Sequence, residues 1–176
     1  MSSLLKNIIR FLFFLFLQVF VLNQIPVLHH LVNPYVYFVF ILWLPFKIGR
    51  RTLLIAGFLC GLSLDFFTKT PGFHAAACVF IAYLRPFTIN FLISQQGTEN
   101  TFQEPSFRSL GFGQYTVYLI ILTTIHHMVL FSLQLLQFSA GWYLTLKLFL
   151  SLIVSLLLIL ILELLFVRKQ KFRTNS

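Results

Sequence analysis

The stretch GFLCGLSLDFFTKTPGFHAAACVFIAYLR, residues 57–85, places two glycines and one acid at regular spacing within a strongly apolar chain. Gly57, Gly61 and Asp65 recur at every fourth position, so a helix with about 3.6 residues per turn brings them onto one face. Glycines on such a face let a second backbone approach closely. Close packing is what holds membrane helices together, because lipid tails are as apolar as leucine. The spacing therefore predicts a close-packed helix face that ends in a carboxylate.

A short break at residues 68–71 separates this helix from a second apolar run that begins at Gly72. Two helices joined by so short a turn should be antiparallel, which brings His74 to the depth of Asp65. Ala82 continues the face of His74 two turns further on. We expect the two faces to pack against each other or against a span of a partner protein. The residues assigned to this helix-packing or partner-contact role are Gly57, Gly61, Asp65, Gly72, His74 and Ala82.

The pair Asp65 and His74 has several interpretations at this stage. A carboxylate inside a membrane span costs roughly 2.5–3.5 kcal/mol at mid-depth and is a functional hypothesis by default. A structural hydrogen bond, a partner contact, a substrate or ion site, a proton relay and a catalytic pair are all open. Lys69, four residues after Asp65, also offers a local ion pair. The structural or partner-contact interpretation is favoured, because metal-assisted phosphate chemistry would need a second acid nearby.

The composition excludes a soluble globular protein. Hydrophobic residues make up 59% of the chain, charged residues only 10%, and the mean hydropathy is +0.90. The 176 residues suffice for about six spans and leave no room for a separate soluble domain. We therefore predict an all-α integral membrane protein, a bundle of about six transmembrane helices, with residues 1–176 forming a single polytopic membrane domain.

Apolar runs separated by polar or turn-forming segments predict where these spans lie. The six runs cover residues 8–22, 34–46, 52–67, 72–92, 114–138 and 142–167, with a cytoplasmic loop at 94–113. The second run is short, because about thirteen helical residues reach roughly 20 Å, against a hydrocarbon thickness of about 30 Å. Either the segment before it also enters the membrane, or the bilayer thins locally. Pro86 predicts a kink or an early end in the fourth span, and the leucine-rich stretch 148–165 is expected to face lipid.

Positive charges set the predicted orientation. The net charge of +9 would suggest nucleic acid in a soluble chain, but here the Lys and Arg residues lie at the ends of apolar runs. With a cytoplasmic N-terminus, all of them except Lys69 and Lys147 fall in cytoplasmic segments. We predict that both termini are cytoplasmic and that the chain has no nucleic-acid partner. The basic tail at 168–173, with Arg50 and Arg51, forms a basic surface attractive to anionic lipid or to an acidic partner.

No pattern in the sequence indicates an enzyme or a metal site. The signatures GxSxG, HExxH, CxxC and the P-loop do not occur. The adjacent His126 and His127 point about 100° apart on a helix and cannot chelate one metal together. One of them should face the bundle and the other lipid or a neighbour. Cys60 and Cys78 lie in apolar runs without ligand-spaced partners. We therefore predict no enzymatic activity, no cofactor and no metal.

The region 57–85, with its two predicted helices and the turn between them, resembles the rod shape-determining protein MreD family of bacteria. The likeness consists of a small-residue helix ending in an acid, a short turn, a Gly-x-His-Ala entry and an Ala-Tyr-Leu exit. It is carried by Gly57, Gly61, Leu62, Asp65, Gly72, His74, Ala75, Ala82, Tyr83 and Leu84. About thirty residues are covered, and the rest of the chain is similar only in size, hydrophobicity, six-span layout and basic ends.

The resemblance implies a non-enzymatic subunit of the cell-elongation machinery in the bacterial inner membrane, helping to organise lateral peptidoglycan synthesis. The implied partners are MreC, together with MreB, RodA and a class B penicillin-binding protein, and membrane lipid, while homodimerisation is left open. The implied fold is similar to the membrane S-components of energy-coupling-factor transporters. That fold supplies the alternative, a small substrate-binding membrane subunit of a vitamin or metal transporter, because a fold alone does not choose a function.

Overall fold

The computed structural model describes residues 3–25, 32–70, 72–94, 103–135 and 141–166, and every regular element in these ranges is a helix. Five helices are long: α1 (Ser3–Phe16), α3 (Arg50–Thr68), α4 (Phe73–Ser94), α6 (Phe112–Leu135) and α7 (Gly141–Leu165). Two are single turns: α2 (Val39–Leu42) and α5 (Phe107–Leu110). Helix α1 continues through a π-helical turn, Leu17–Val21, and a 3-10 turn, Leu22–Gln24.

The prediction of an all-α chain is confirmed. The five long helices, with α1 extended to Gln24, are each long and apolar enough to cross a membrane, so the chain is compatible with a multi-pass helical bundle. Helix α4 packs between α3 and α6, and α6 also packs against α7. The first and last long helices are neighbours, because the ring centroids of Phe13 in α1 and Phe166, just after α7, lie 5.3 Å apart.

Helix α7 is not simply a lipid-facing helix, as its leucine-rich sequence suggests. Ser151, Ser155, Ile159 and Glu163 recur every fourth residue, and all four are buried. Between them, Ile153, Leu157 and Ile161 are exposed. The helix thus presents a narrow polar stripe to the bundle, because residues at this spacing share one face.

The second predicted span, 34–46, differs most from expectation, because its only helix is the single turn α2. We call residues 32–46 the threaded segment. It runs antiparallel to α1: Val36 binds Gln18, and Phe40 lies 5.4 Å from Phe11. Side chains 35–44 are buried throughout. Residues 32–36 have no regular structure, whereas residues 36–44 make backbone hydrogen bonds three or four residues apart, so the segment is not one continuous helix.

Pro86 does not end the fourth span, because α4 continues through it to Ser94. In a membrane bundle, neighbouring groups can compensate for the backbone hydrogen bond that proline removes. The predicted loop 94–113 is described from residue 103 onward. It contains α5, which Ser106 caps by accepting a hydrogen bond from the Ser109 N–H.

Candidate functional site

The contact between α3 and α4 depends on two glycines. A Cβ atom built on Gly61 would lie 2.3 Å from the carbonyl oxygen of His74 and 2.4 Å from the Cα of Ala75. A Cβ on Gly57 would lie 3.0 Å from the Cβ of Ala82. The glycine face therefore packs against α4 of the same chain, and at Gly61 the two backbones touch.

Asp65 extends this face and binds the first turn of α4. Its Oδ2 accepts a hydrogen bond from the Ala75 N–H at 2.8 Å, and its Oδ1 accepts from the His74 N–H at 3.0 Å. The Thr70 hydroxyl also donates to Oδ1. The first N–H groups of a helix have no partner within the helix, and its N-terminus favours negative charge. Asp65 thus supplies, from the preceding helix, the cap that Gly72 cannot provide.

The turn between the helices brings Asp65 into position. Lys69, the residue after the last one of α3, lies in the left-handed region with φ 54°, and its N–H donates to the backbone carbonyl of Asp65. Gly72 has φ 80°, a conformation that residues with a side chain rarely adopt. The ion pairs of the described residues do not join Asp65 to Lys69. The carboxylate turns instead toward the N–H groups of α4.

The ring of His74 does not bind Asp65. Only the backbone N–H of His74 donates to that carboxylate. Instead, His74 Nδ1 lies 2.9 Å from the Tyr37 hydroxyl, which lies 2.8 Å from His126 Nε2. One hydroxyl proton serves only one of the two rings, so the other ring must donate to the tyrosine oxygen. Within the described ranges His126 Nδ1 has no partner, and an unpartnered N–H is rarer than an unpartnered acceptor. We therefore assign the proton of His126 to Nε2, with Tyr37 donating to His74.

His127 is buried as completely as His126, so neither of them faces lipid, which was one of the two alternatives expected for the second histidine. The Nδ1 of His127 lies 2.9 Å from the Thr123 carbonyl, and its Nε2 lies 3.1 Å from the Ser155 hydroxyl. His126 stacks on Phe38 with ring centroids 4.1 Å apart. Both rings face inward because the threaded segment fills the centre of the bundle and offers contacts over a wide arc of α6.

The threaded segment receives side-chain hydrogen bonds on its backbone from every long helix. Donors to its carbonyls are Gln18 to Pro34, Cys60 to Tyr37, Tyr118 to Leu42 and Arg85 to Leu44, and its N–H groups at Asn33, Tyr35 and Val36 donate to Ser151, Ser155 and Gln18. Non-helical backbone is tolerated at membrane depth only where it is enclosed by protein and hydrogen-bonded there. The buried polar residues of the long helices meet this requirement.

Gln18 binds the threaded segment at two backbone groups, the Pro34 carbonyl and the Val36 N–H, and its loss gives the first prediction. Gln18→Leu should destabilise the protein by about 2 kcal/mol, because it leaves the Val36 N–H and the Pro34 carbonyl buried and unpaired. Thermal unfolding in mild detergent measures the change. Leu12→Ala, at an exposed position of the same helix, is the control and should shift the midpoint little. Equal midpoints for Gln18→Leu and the unchanged protein would contradict this role.

A cavity of about 380 Å³ opens where α1 and α3 end and α4 begins. Its polar lining includes Asn23, Asn33, Tyr35, Thr70, His74 and Gln134. None of the described residues that line it carries a formal charge with histidine neutral. His74 therefore connects this cavity to the buried tyrosine and histidines. The chemistry of the lining suits a small neutral molecule with hydrogen-bonding groups.

The opposite end of the bundle carries the cations Lys6, Arg10, Lys47 and Arg51, and we call it the basic end. Here Glu104 accepts a hydrogen bond from Lys6 and another from Arg10, each at 2.9 Å. The Phe46 N–H donates to the Gln103 carbonyl nearby. Burial raises the pKa of Glu104, but the hydrogen bonds and charges of Arg10 and Lys6 outweigh it, so the net pKa is below the ordinary 4.5.

The lowered pKa of Glu104 predicts an acid-sensitive contribution to stability. Because the pKa of Glu104 is lower in the folded protein than in the unfolded chain, its ionised form stabilises the fold at pH values above the unfolded-state pKa of about 4.5. This stabilisation is lost as the pH falls through the folded-state pKa. Glu104→Gln should remove it at neutral pH, by about 0.2–1 kcal/mol for each partly exposed ion pair. Unfolding midpoints measured between about pH 6 and pH 3 should fall less steeply for this variant. Arg108→Gln, at an exposed cation of the same loop, should keep the original slope.

The part of the chain that is described offers no grouping of metal ligands. No three His, Cys, Asp or Glu side chains there could hold a metal ion. Cys60 and Cys78 are both free and buried. Glu163 accepts from the Tyr115 hydroxyl at 3.0 Å, and Arg85 donates to the Tyr118 hydroxyl and the Leu44 carbonyl. The buried polar groups mainly support backbone and one another.

The sequence-derived site residues all lie at the α3–α4 contact or its turn. Gly57, Gly61 and Ala82 form the contact itself, Asp65 binds the start of α4, and Gly72 forms the turn. The sequence did not reveal the partners of His74, or the role of the threaded segment. Two signals were present: Gln18 is the only polar side chain in residues 11–22, and the last span carries two serines four residues apart.

Comparison with known protein families, with curated proteins and with solved structures finds no match for this chain.

Proposed function

We propose that this chain is a non-enzymatic scaffold subunit of the bacterial cell-elongation machinery, of the MreD type. The observation that carries the proposal is the use of Asp65. Its carboxylate accepts hydrogen bonds from Thr70, in the turn after α3, and from the N–H groups of His74 and Ala75, in the first turn of α4. Asp65 thus holds the two helices together. A group used in this way supports a structural role over a proton relay or catalysis.

The internal use of the glycine face narrows where partners bind. Because Gly57 and Gly61 pack against α4 of the same chain, MreC and the wall synthases would contact other surfaces. The outer side of α7 is a broad apolar face that includes Phe149, Ile153 and Leu157. In the proposed arrangement the chain crosses the bacterial inner membrane six times, five times as a long helix and once as the threaded segment. The basic end and both termini are cytoplasmic, as the positive-inside rule favours.

A pull-down in mild detergent tests the proposal. The tagged protein is recovered from its own membranes, and co-purifying proteins and small molecules are identified by mass spectrometry. We expect MreC with wall synthases and no stoichiometric small molecule. A tagged multi-pass protein of similar size from the same membrane is the control. Recovery without any protein of the elongation machinery would contradict the proposal.

The polar cavity favours a second candidate, a small substrate-binding membrane subunit of a transporter. A cavity of about 380 Å³ falls within the usual size range of ligand pockets and is lined by several hydrogen-bonding side chains. Its uncharged lining suits a vitamin-like molecule better than a metal ion. Co-purification of an ATPase module with a stoichiometric small molecule would support this candidate over the scaffold.

A further inference from the structure

A second cavity lies at the other end of the molecule, between α1, the threaded segment and α3. It is an open groove of about 410 Å³ with an almost wholly apolar lining. Ile8 and Phe11 form one wall, Phe40 the floor, and Ala56 and Leu59 the other wall. The groove belongs to neither the polar cavity nor the α3–α4 contact.

The lining of the groove indicates what can occupy it. Along α3 the lining runs from Thr52 to Leu59, roughly 10 Å of helix, and its side chains are almost all apolar. A hydrocarbon chain can lie along such a surface without leaving a buried polar group unpaired.

The mouth of the groove lies at the basic end and suits an anion. Lys47 and Arg51 are exposed and directly flank the lining residues Ile48 and Thr52 in the sequence. The ion pairs of the described residues engage Lys6 and Arg10 but neither of these two cations. Positive charge at a membrane surface attracts anionic headgroups.

The N-terminus of α3 adds a second attraction at the same place. Its N-cap is Gly49, and no side chain caps the helix. The N–H groups of a first helical turn bind phosphate well, because they point outward and the helix dipole is positive there. An apolar groove and an anion-binding mouth thus lie in line, in the order that a phospholipid requires.

We propose that this groove binds one acyl chain of an anionic phospholipid, with the headgroup phosphate at the N-terminus of α3 beside Lys47 and Arg51. Such a lipid would join α1, the threaded segment and α3 at the basic end. The site does not depend on whether the chain acts as a scaffold or as a transporter subunit.

Native mass spectrometry of the purified full-length chain tests the proposal. The protein is mixed with equal amounts of phosphatidylglycerol and phosphatidylcholine that carry the same acyl chains. We expect phosphatidylglycerol to be retained preferentially. Ala56→Phe fills the groove and should reduce the bound lipid about tenfold or more. Ile55→Phe, one position away on a lipid-exposed face outside the groove, should retain lipid within about twofold.

The headgroup contribution is measured separately. The double variant Lys47→Ala and Arg51→Ala should still bind an acyl chain but lose roughly tenfold in its preference for phosphatidylglycerol. Thr52→Phe, at the exposed mouth, replaces Ala56→Phe if that variant is not monodisperse and cooperatively unfolding. Equal retention of both lipids, an adventitious lipid only, would overturn the proposal. Unchanged lipid binding by Ala56→Phe would also overturn it. So would the finding that Ala56→Phe loses a dimer contact or a bound protein, and not a lipid.

Discussion

Gly61→Leu is expected to give a protein that no longer folds stably in detergent. Even the first atom of the new side chain would lie 2.3 Å from the His74 carbonyl oxygen and 2.5 Å from the Ala75 nitrogen. These are backbone atoms, so they cannot turn away as a side chain would, and the helices must separate. Overpacking a well-formed core costs typically about 1–3 kcal/mol and occasionally more, and we expect the upper end or beyond.

Other glycines provide graded controls for this prediction. Gly57→Ala would bring its Cβ to 3.0 Å from Ala82, so a moderate loss of stability is expected. A Cβ at Gly113, in α6, meets nothing within 4 Å, so Gly113→Ala should be neutral or stabilise by up to about 1 kcal/mol. The midpoint of thermal unfolding should be highest for Gly113→Ala, lower for Gly57→Ala and lowest for Gly61→Leu. A midpoint for Gly61→Leu equal to that of Gly113→Ala would refute the close contact.

Asp65→Leu is expected to cause the other large loss. It leaves the N–H groups of His74 and Ala75 buried without an acceptor and removes the bond from the Thr70 hydroxyl. Each buried donor left unpaired costs about 1–3 kcal/mol, and the negative charge at the N-terminus of α4 is lost as well. Unfolding in detergent and, if the scaffold proposal holds, recovery of rod shape in cells are the two measurements.

Asp65→Asn distinguishes charge from shape at the same position. An amide keeps one oxygen and can accept from one side only, while its NH₂ group faces the remaining N–H. We therefore expect an intermediate loss, smaller than that of Asp65→Leu. Ser63→Ala, which removes an exposed hydroxyl two residues away, should change stability by no more than about 0.5 kcal/mol. Full stability of Asp65→Asn would show that a single acceptor suffices.

The hairpin of α3 and α4 shows how far local pattern reaches. Glycines at every fourth position, an acid one turn on and a short turn together predicted a close antiparallel contact, because helix geometry relates spacing directly to a face. The partner of that face was left open between this chain and another. Only the tertiary structure places Gly61 against the backbone of Ala75.

The threaded segment shows where local pattern fails. Its residues are apolar enough for a membrane helix, and only its short length indicated that it would not form one. Residues 32–36 are not helical, and Gln18, Ser155 and other side chains, distant in sequence, supply hydrogen bonds that a helix would make internally. The same distant contacts turn both His126 and His127 inward, although adjacent helical residues point in different directions.

The amino-acid sequence by itself determined the membrane class, the approximate ends of the long helices and the glycine face, since each follows from composition or from spacing along one helix. The tertiary structure decided which groups pair inside the bundle. It gave the carboxylate of Asp65 to backbone N–H groups and the ring of His74 to Tyr37. Hydrogen-bond partners in a membrane interior are set by which helices are neighbours, and neighbours far apart in the chain leave no periodic signal in it.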